Sequence, residues 1–543
     1  MILLLTLLAC ETPEVQTPSV STDPGDTLVE LDAPRLLRRM SLDVRGVLPS
    51  LEELNAVEAD PSQIDSILDG YLEQDDLVED RLVSLFSERW HTKLDIFEVR
   101  YYDYQLDPEL EYEFESSVGE EPLRLMARIA VLDRPWTEIV TADYTVANEM
   151  LASVWPLDYP EGGSGWEISS YTDGRPAVGV LATNGLWWRY VTNVSNMNRS
   201  RAAAISRLLL CQDLLSRPVS ISGAVALSDT DGTATAIRTN PSCVACHSTV
   251  EPLASALFGW WTVISYNPDE MGYYHAEREL LGEEYLGFQP GWFGKPIDGL
   301  VDMGPAIAND SRFYSCAAES TAELFWHRPL QTTDFERVEA LRDQFLEQGL
   351  RYKALIKDVL ATPEYRAGGV TDDATDETVE RERTLRLVTP DLMSSAVYAL
   401  TGFTWEYEGF QQMGNDDPGY RTLAGGVDGY SVTRAQQDPG VTWVVTTKRF
   451  AQAASSYVVD QELNQGAERR MLLHVTSESR PGDADFDLEL AELCWRLYGV
   501  RPASDLTATL ASVWSEVYAR EGVDAAWTRV LSAMLRDPAF VGF

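Results

Sequence analysis

The chain has 543 residues, with Lys+Arg 43 against Asp+Glu 86 and a formal net charge of −43. That balance argues against nucleic acid, whose phosphates call for a basic surface, and suits either a basic partner or a solvated acidic surface. Hydrophobic residues at 45% and aromatics at 10% exclude a disordered chain, and the length allows roughly two to four domains with cores of their own.

Residues 1–9 read MILLLTLLA, and Cys10 follows. This run resembles a bacterial lipoprotein signal, in which a branched apolar residue and two smaller ones precede the cysteine that is lipidated. Leu8 is larger than that pattern has. No basic residue precedes the run, as signal peptides normally carry, and the run is too short to span a bilayer. Residues 10–28 form a Thr-, Pro-, Ser- and Asp-rich stretch without apolar periodicity, which reads as a disordered tether. The expectation is an exported lipoprotein held to a membrane through Cys10, in the periplasm or on the outer membrane.

Downstream the apolar spacing turns helical. It predicts a helix over 33–47 and another from Ser50, where Ser50 and Glu53 have capping-box spacing. Pro61 and Asp80 open two further amphipathic runs, the second carrying Trp90 and His91. A helix is expected over 123–132, then helix, turn and helix as far as Asn148 and Glu149. Residues 159–170 are a Gly-rich loop. It is not a hydrolase elbow, because Trp166 stands two places after Ser164. Further helices are expected at 199–215, 334–347, 351–360, 443–463, 488–497 and 527–535, with an acidic linker at 368–383. Asp416, Asp417 and Asp428 flank a Gly-rich loop with no P-loop lysine; they are calcium candidates, weighed against a solvated acidic loop. The fold class is mostly α and multi-domain: a helical domain at 29–198, a cytochrome c-like module at 199–365, a linker at 366–384 and a helical domain at 385–543.

The stretch that carries chemistry is Cys243-Val244-Ala245-Cys246-His247. Two cysteines two residues apart, followed at once by histidine, are the attachment signal for c-type haem. Each thiol adds across one haem vinyl, and the adjacent imidazole supplies the proximal iron ligand. Three other readings compete. A structural zinc site wants a second ligand pair at short spacing, and Cys211 and Cys316 are isolated. A thioredoxin-like pair opens a helix after a strand, whereas a polar, Thr- and Ala-rich run precedes this one. Chance occurrence is the third.

Family motifs surround the haem signal. They run from Met40 to Gln74 and from Leu82 to Phe97, then through Arg134-Pro135, Asp143-Tyr144-Thr145 and Asn148. Next come Arg199, Leu209-Leu210-Cys211, Glu251-Pro252-Leu253, Ile297-Asp298-Gly299, Phe313, Cys316 and Phe325-Trp326-His327-Arg328. In this order they resemble the planctomycete-type cytochrome c family, large exported bacterial chains of uncharacterised domains around one haem motif. The resemblance covers most of 31–365, and residues 526–535 look like the same family's closing helix. Two positions depart from it: Ser200 follows Arg199 where glycine is usual, and Glu251 replaces aspartate. The resemblance implies one covalent haem c on Cys243 and Cys246 with His247 as proximal ligand, and a disulfide between Cys211 and Cys316. The Pro252 carbonyl is the expected partner of the second imidazole nitrogen. Met303, placed on a loop by its neighbours Gly304 and Pro305, is the expected sixth ligand, with Met271 and His275 as alternatives. Cys494 is expected to be a buried single thiol. The function expected is electron transfer with a redox partner in the envelope. The alternatives are a haem-dependent oxidoreductase on an envelope or polysaccharide-derived substrate, and a surface scaffold with structural haem. Whether the chain is an enzyme stays open, because no nucleophile-and-base set stands out among its five histidines.

Overall fold

The computed structural model describes residues 28–543 apart from 215, 217–229, 261–266, 268–269, 377–378, 380–385 and 417–418. The expected signal run, Cys10, the tether up to residue 27 and Asp417 lie outside the described residues. The protein is 60% helical with only short strands, a mostly α fold.

Helix α1 (Ala33–Arg45) organises the molecule. Asp32 caps it by accepting from the Arg35 N–H, and Gly46 ends it at φ 70°, a left-handed conformation that glycine adopts without steric cost. One side of α1 places Leu36, Leu37, Met40 and Val44 in a core that runs on to Tyr365. Leu42, on another side, enters a second core made from Val388 to Phe543. Two buried arginines fix the wedge. Arg38 donates to the carbonyls of Leu497, Phe540 and Gly542, and Arg39 to those of Tyr365 and Ala367. Burying a guanidinium is costly unless its donors are taken up, so these carbonyls tie α1 to both cores.

Helices α2 (Leu51–Ala59), α3 (Ile64–Leu72), α4 (Asp75–Trp90) and α5 (Glu111–Val131) follow. The expected capping box closes α2: Glu53 Oε2 accepts from Ser50 N at 2.7 Å, and Ser50 Oγ from Glu53 N at 3.2 Å. Helix α4 opens before Asp80, with Asp75 and Asp76 favourably placed against its N-terminal dipole. Helix α5 begins well before 123, because Pro122 lies in its interior. Proline cannot donate to the Val118 carbonyl one turn back. Gly185 fills that place, so closely that a Cβ there would lie 1.9 Å from Val118 O.

Between α5 and α6 (Glu149–Val154) the expected first helix is a 3₁₀ turn, Trp136–Val140, followed by the strand Thr145–Ala147. That strand pairs antiparallel with Glu167–Ser169, the end of the Gly-rich stretch. Next come α7 (Asn184–Arg189), α8 (Arg199–Leu210), α9 (Thr230–Thr239), α10 (Pro241–Ser255) and α11 (Leu281–Leu286). Helices α12 (Leu300–Ala308), α13 (Ser311–Trp326), α14 (Phe335–Glu347), α15 (Tyr352–Leu360) and α16 (Pro363–Arg366) complete the first half. Leu186 and Trp187 share one core with Ile205, Leu253 and Phe313, so apolar packing is continuous across residue 198.

The stretch expected as a linker begins as structure. Ala367–Val370 is a strand paired antiparallel with Leu28–Glu30. Gly368 and Gly369 hide the strand pattern there, and Gly368 packs against Leu31, where a Cβ would lie 2.3 Å from the leucine side chain. The second core is built from α17 (Pro390–Thr401), α18 (Val441–Val458), α19 (Ala484–Tyr498), α20 (Ser504–Glu521), α21 (Val523–Met534) and α22 (Pro538–Val541). Helix α20 escapes the sequence reading because it buries only Leu510, Trp514 and Val517. Among the described residues no helix is long and apolar enough to cross a membrane.

Candidate functional site

Helix α10 carries the Cys-x-x-Cys-His stretch in its first two turns. Asn240 caps it, accepting from Ser242 N at 3.0 Å, and Pro241 occupies the first helical position, where a missing N–H costs nothing. Cys243, Cys246 and His247 therefore stand at i, i+3 and i+4 on one helix face. Both thiols are free and half-buried, and the His247 side chain is 31% exposed. The Thr- and Ala-rich run before them is α9, so a helix rather than a strand leads into the motif. Among the described residues no three His, Cys, Asp or Glu side chains converge as a metal-binding group.

His247 does not stand alone. Its Nδ1 lies 2.5 Å from Glu251 Oε1, and Arg199 Nε donates to the same oxygen at 2.6 Å. The Glu251 side chain is 0% exposed, and its Oε2 is buried without a hydrogen bond. Burial alone would push this carboxyl up; the bonds from His247 and Arg199 outweigh it and hold Glu251 below the usual range. An ionised Glu251 accepts from an Nδ1–H, so in the neutral ring it is Nε2 that carries the lone pair, the tautomer that a metal-ligating imidazole needs.

The Pro252 carbonyl does not have the place expected for it. Glu251 takes Nδ1 because it stands four residues after His247 on the same helix, whereas a helical carbonyl points along the axis. Arg199 and Glu251 are both motif residues to which the sequence assigned no chemistry. The His247-to-Glu251 spacing was the available signal. If an iron is held by His247, Glu251→Gln should raise its reduction potential, because a neutral amide makes the imidazole less basic than a carboxylate does. Redox titration of the loaded protein checks this, and an unchanged potential would remove Glu251 from the site.

No family model matches the chain, and no curated protein or solved structure matches it either. The site therefore rests on its own geometry.

Met303 is on a helix, α12, not on a loop. It is 0% exposed in the first core. Gly304 serves close packing rather than a turn: a Cβ there would lie 2.1 Å from the Val140 carbonyl. Met271 packs against an aromatic cluster around Phe114 and Trp188. The His275 ring contacts Glu277 Oε1 and Glu270 O, His91 Nε2 contacts Thr433 O, and His327 Nε2 contacts Asp43. Cys211 and Cys316 are joined as a disulfide, their Cα atoms 5.1 Å apart. Cys494 is a buried free thiol, pushed up to about 11 by burial and then by Asp537. Asp428 Oδ1 accepts from the backbone N–H groups of Tyr430, Ser431 and Val432, and Asp416 Oδ1 from Thr422 N and Oγ1. Both carboxylates thus brace their own loop.

Proposed function

We propose that Cys243, Cys246 and His247 hold one covalent haem c, and that the protein carries single electrons in the cell envelope. One observation supports this above the others. Two free thiols and an imidazole share one open helix face, and a buried carboxylate sets that imidazole with Nε2 free. The donor set fits: two thiols can form thioethers, and one neutral imidazole nitrogen is left for iron. When bound, the haem supplies one-electron exchange at its iron.

The chain's own part is positioning. Glu251 fixes the ring orientation of His247 and keeps its proton on Nδ1, while Arg199 balances the carboxylate charge. Thioethers to Cys243 and Cys246 would keep the cofactor on an exported protein that could not replace it. The envelope location rests on the lipoprotein-like leader, with a lipid on Cys10 as the membrane anchor. The resemblance to planctomycete-type cytochrome c chains points the same way. The surplus of carboxylates favours a basic redox partner.

The test is expression alongside a haem-maturation system. Mass spectrometry of the peptide containing Cys243 should show a haem adduct, and a Cys243→Ala/Cys246→Ala variant should lose it and its visible absorption. A spectrum unmoved by cyanide favours electron transfer, whereas ready cyanide binding favours an enzyme. An unmodified peptide from the matured protein would overturn the reading.

A further inference from the structure

A recess of about 530 Å³ lies where the two cores meet. Its walls come from the ends of α4 and α7, from α8 and α13, and from residues 386–389 and 433–437. That volume is in the range of small-molecule sites. Its lining is unusual for a chain of net charge −43, because six of its residues are arginines.

Three of the six are paired. Arg89 meets Glu323, Arg328 meets Asp334 and Arg386 meets Asp43. The other three, Arg189, Arg207 and Arg434, have no carboxylate partner among the described residues. Arg189 and Arg207 are held together by one ring: their guanidinium carbons lie 4.9 and 5.5 Å from the Tyr190 centroid. Arg207 also donates to the Tyr190 hydroxyl, and Arg189 to the Gly429 carbonyl. Both guanidiniums thus lie against the same ring, and Arg189 feels Arg207 as a neighbouring like charge, opposed by Asp428. Arg89, Arg189 and Arg386 each keep a buried Nε without a hydrogen bond. The carboxylates in the wall do not cancel this. Glu323 is spent on Arg89, burial pushes Glu88 up to about 7, and Asp213 has a bonding partner of its own.

Uncompensated guanidiniums around one recess need an anion, and their planar forks match carboxylate and phosphate oxygens. We propose that this recess binds a small anion bearing two or more carboxylate or phosphate groups, with Arg189, Arg207 and Arg434 as its main contacts. The site is independent of the haem reading. It is nonetheless tied to the haem helix through α8, which holds Glu251 with Arg199 at its start and reaches the recess with Arg207 about 12 Å further on.

Calorimetric titration of the full-length protein at low salt tests the proposal, with citrate as carboxylate probe, pyrophosphate as phosphate probe and trehalose as neutral control. At least one anion should bind, more weakly as salt rises, and trehalose should not. Whichever anion binds more tightly names the head group. Arg189→Gln/Arg207→Gln should weaken binding roughly tenfold to a hundredfold, the range for charged hydrogen bonds. Arg434 is exposed and has no hydrogen bond or ion pair with a described residue, so Arg434→Gln should weaken binding without a folding defect. Failure of both anions to bind, or binding that neither variant weakens, would overturn the site.

Discussion

Asp43→Ala is expected to cost about 3–5 kcal/mol of stability, the usual penalty for removing one partner from a buried ionic cluster. Asp43 is 0% exposed on α1. Its Oδ1 accepts from His327 Nε2 at 2.9 Å and lies 3.7 Å from Arg81. Its Oδ2 accepts from the Tyr365 hydroxyl at 3.0 Å and lies 3.5 Å from Arg386. The carboxylate thus sits between the first core and the chain entering the second. Alanine would leave Arg81 and Arg386 as buried cations without the carboxylate they share. Asparagine keeps the shape and not the charge, so Asp43→Asn should recover only part of the loss. Urea unfolding followed by far-ultraviolet circular dichroism checks both variants. A midpoint for Asp43→Ala equal to that of the parent would show that the cluster does not hold the halves together.

The same cluster sets a pH dependence. Burial lowers His327, and the neighbouring Arg386 and Arg81 reinforce this against the pull of Asp43. His91 is pushed down to about 4, by burial first and then by Arg189. Unfolding frees both rings to take a proton near the ordinary 6.5. At these two rings the unfolded state therefore binds more protons below that pH, so their contribution to stability falls as the pH drops from about 6.5 towards 4. Glu88 and Glu115, which burial pushes up to about 7, act in the opposite sense over the same range. Burial raises the Asp43 carboxyl, but His327, Arg386 and Arg81 outweigh it and keep it below its ordinary value. Its contribution is present above the unfolded value of 3.8 and is lost only on further acidification. The histidine contribution is read by comparison: between about pH 7.5 and 5 the urea midpoint of His91→Gln should fall less, or rise more, than that of the parent.

How much of this was legible varies with distance along the chain. Local rules worked where the partners are local. The Ser50 and Glu53 capping box formed as spaced, and the haem-type motif needed only helical periodicity to bring its three side chains to one face. Prolines misled where tertiary packing took over. Pro122 and Pro305 both lie inside helices, and glycines beside or facing them let another carbonyl approach closely. Arg38, Arg39 and Asp43 look like ordinary charges on an amphipathic helix. Apart from Arg81, 38 positions from Asp43, their partners stand some 284 to 504 positions away, as His327 does from Asp43 and Gly542 from Arg38, so no short window of sequence shows that these charges are buried. The arginine recess was hidden for the same reason, since its six guanidiniums come from separate segments. The His247–Glu251 pair needed no such reach, and helix geometry alone would have found it.

Cys211→Ser/Cys316→Ser should lower stability by about 4–5 kcal/mol in the chain-entropy model, in which a cross-link acts mainly by restricting the unfolded chain. The bond closes a loop of sequence separation 105, long enough for that term to be large. Cys211 caps α8 at φ 52°, and Cys316 lies buried in α13. The closed loop contains α9 and α10, and so Cys243, Cys246 and His247. Arg89 packs on the bond, with Nη2 2.8 and 3.4 Å from the two sulfurs, and its other Nη reaches Glu323. Two serines in place of the bond would leave that guanidinium against hydroxyls it can still bond, which keeps the loss close to the entropic value. The unfolded double variant should also be more expanded, so its urea slope should be steeper than that of the oxidised parent. Equilibrium unfolding without reductant measures midpoint and slope together. An unchanged midpoint, or thiol titration finding Cys211 and Cys316 free in the oxidised parent, would show that α8 and α13 are held by packing alone.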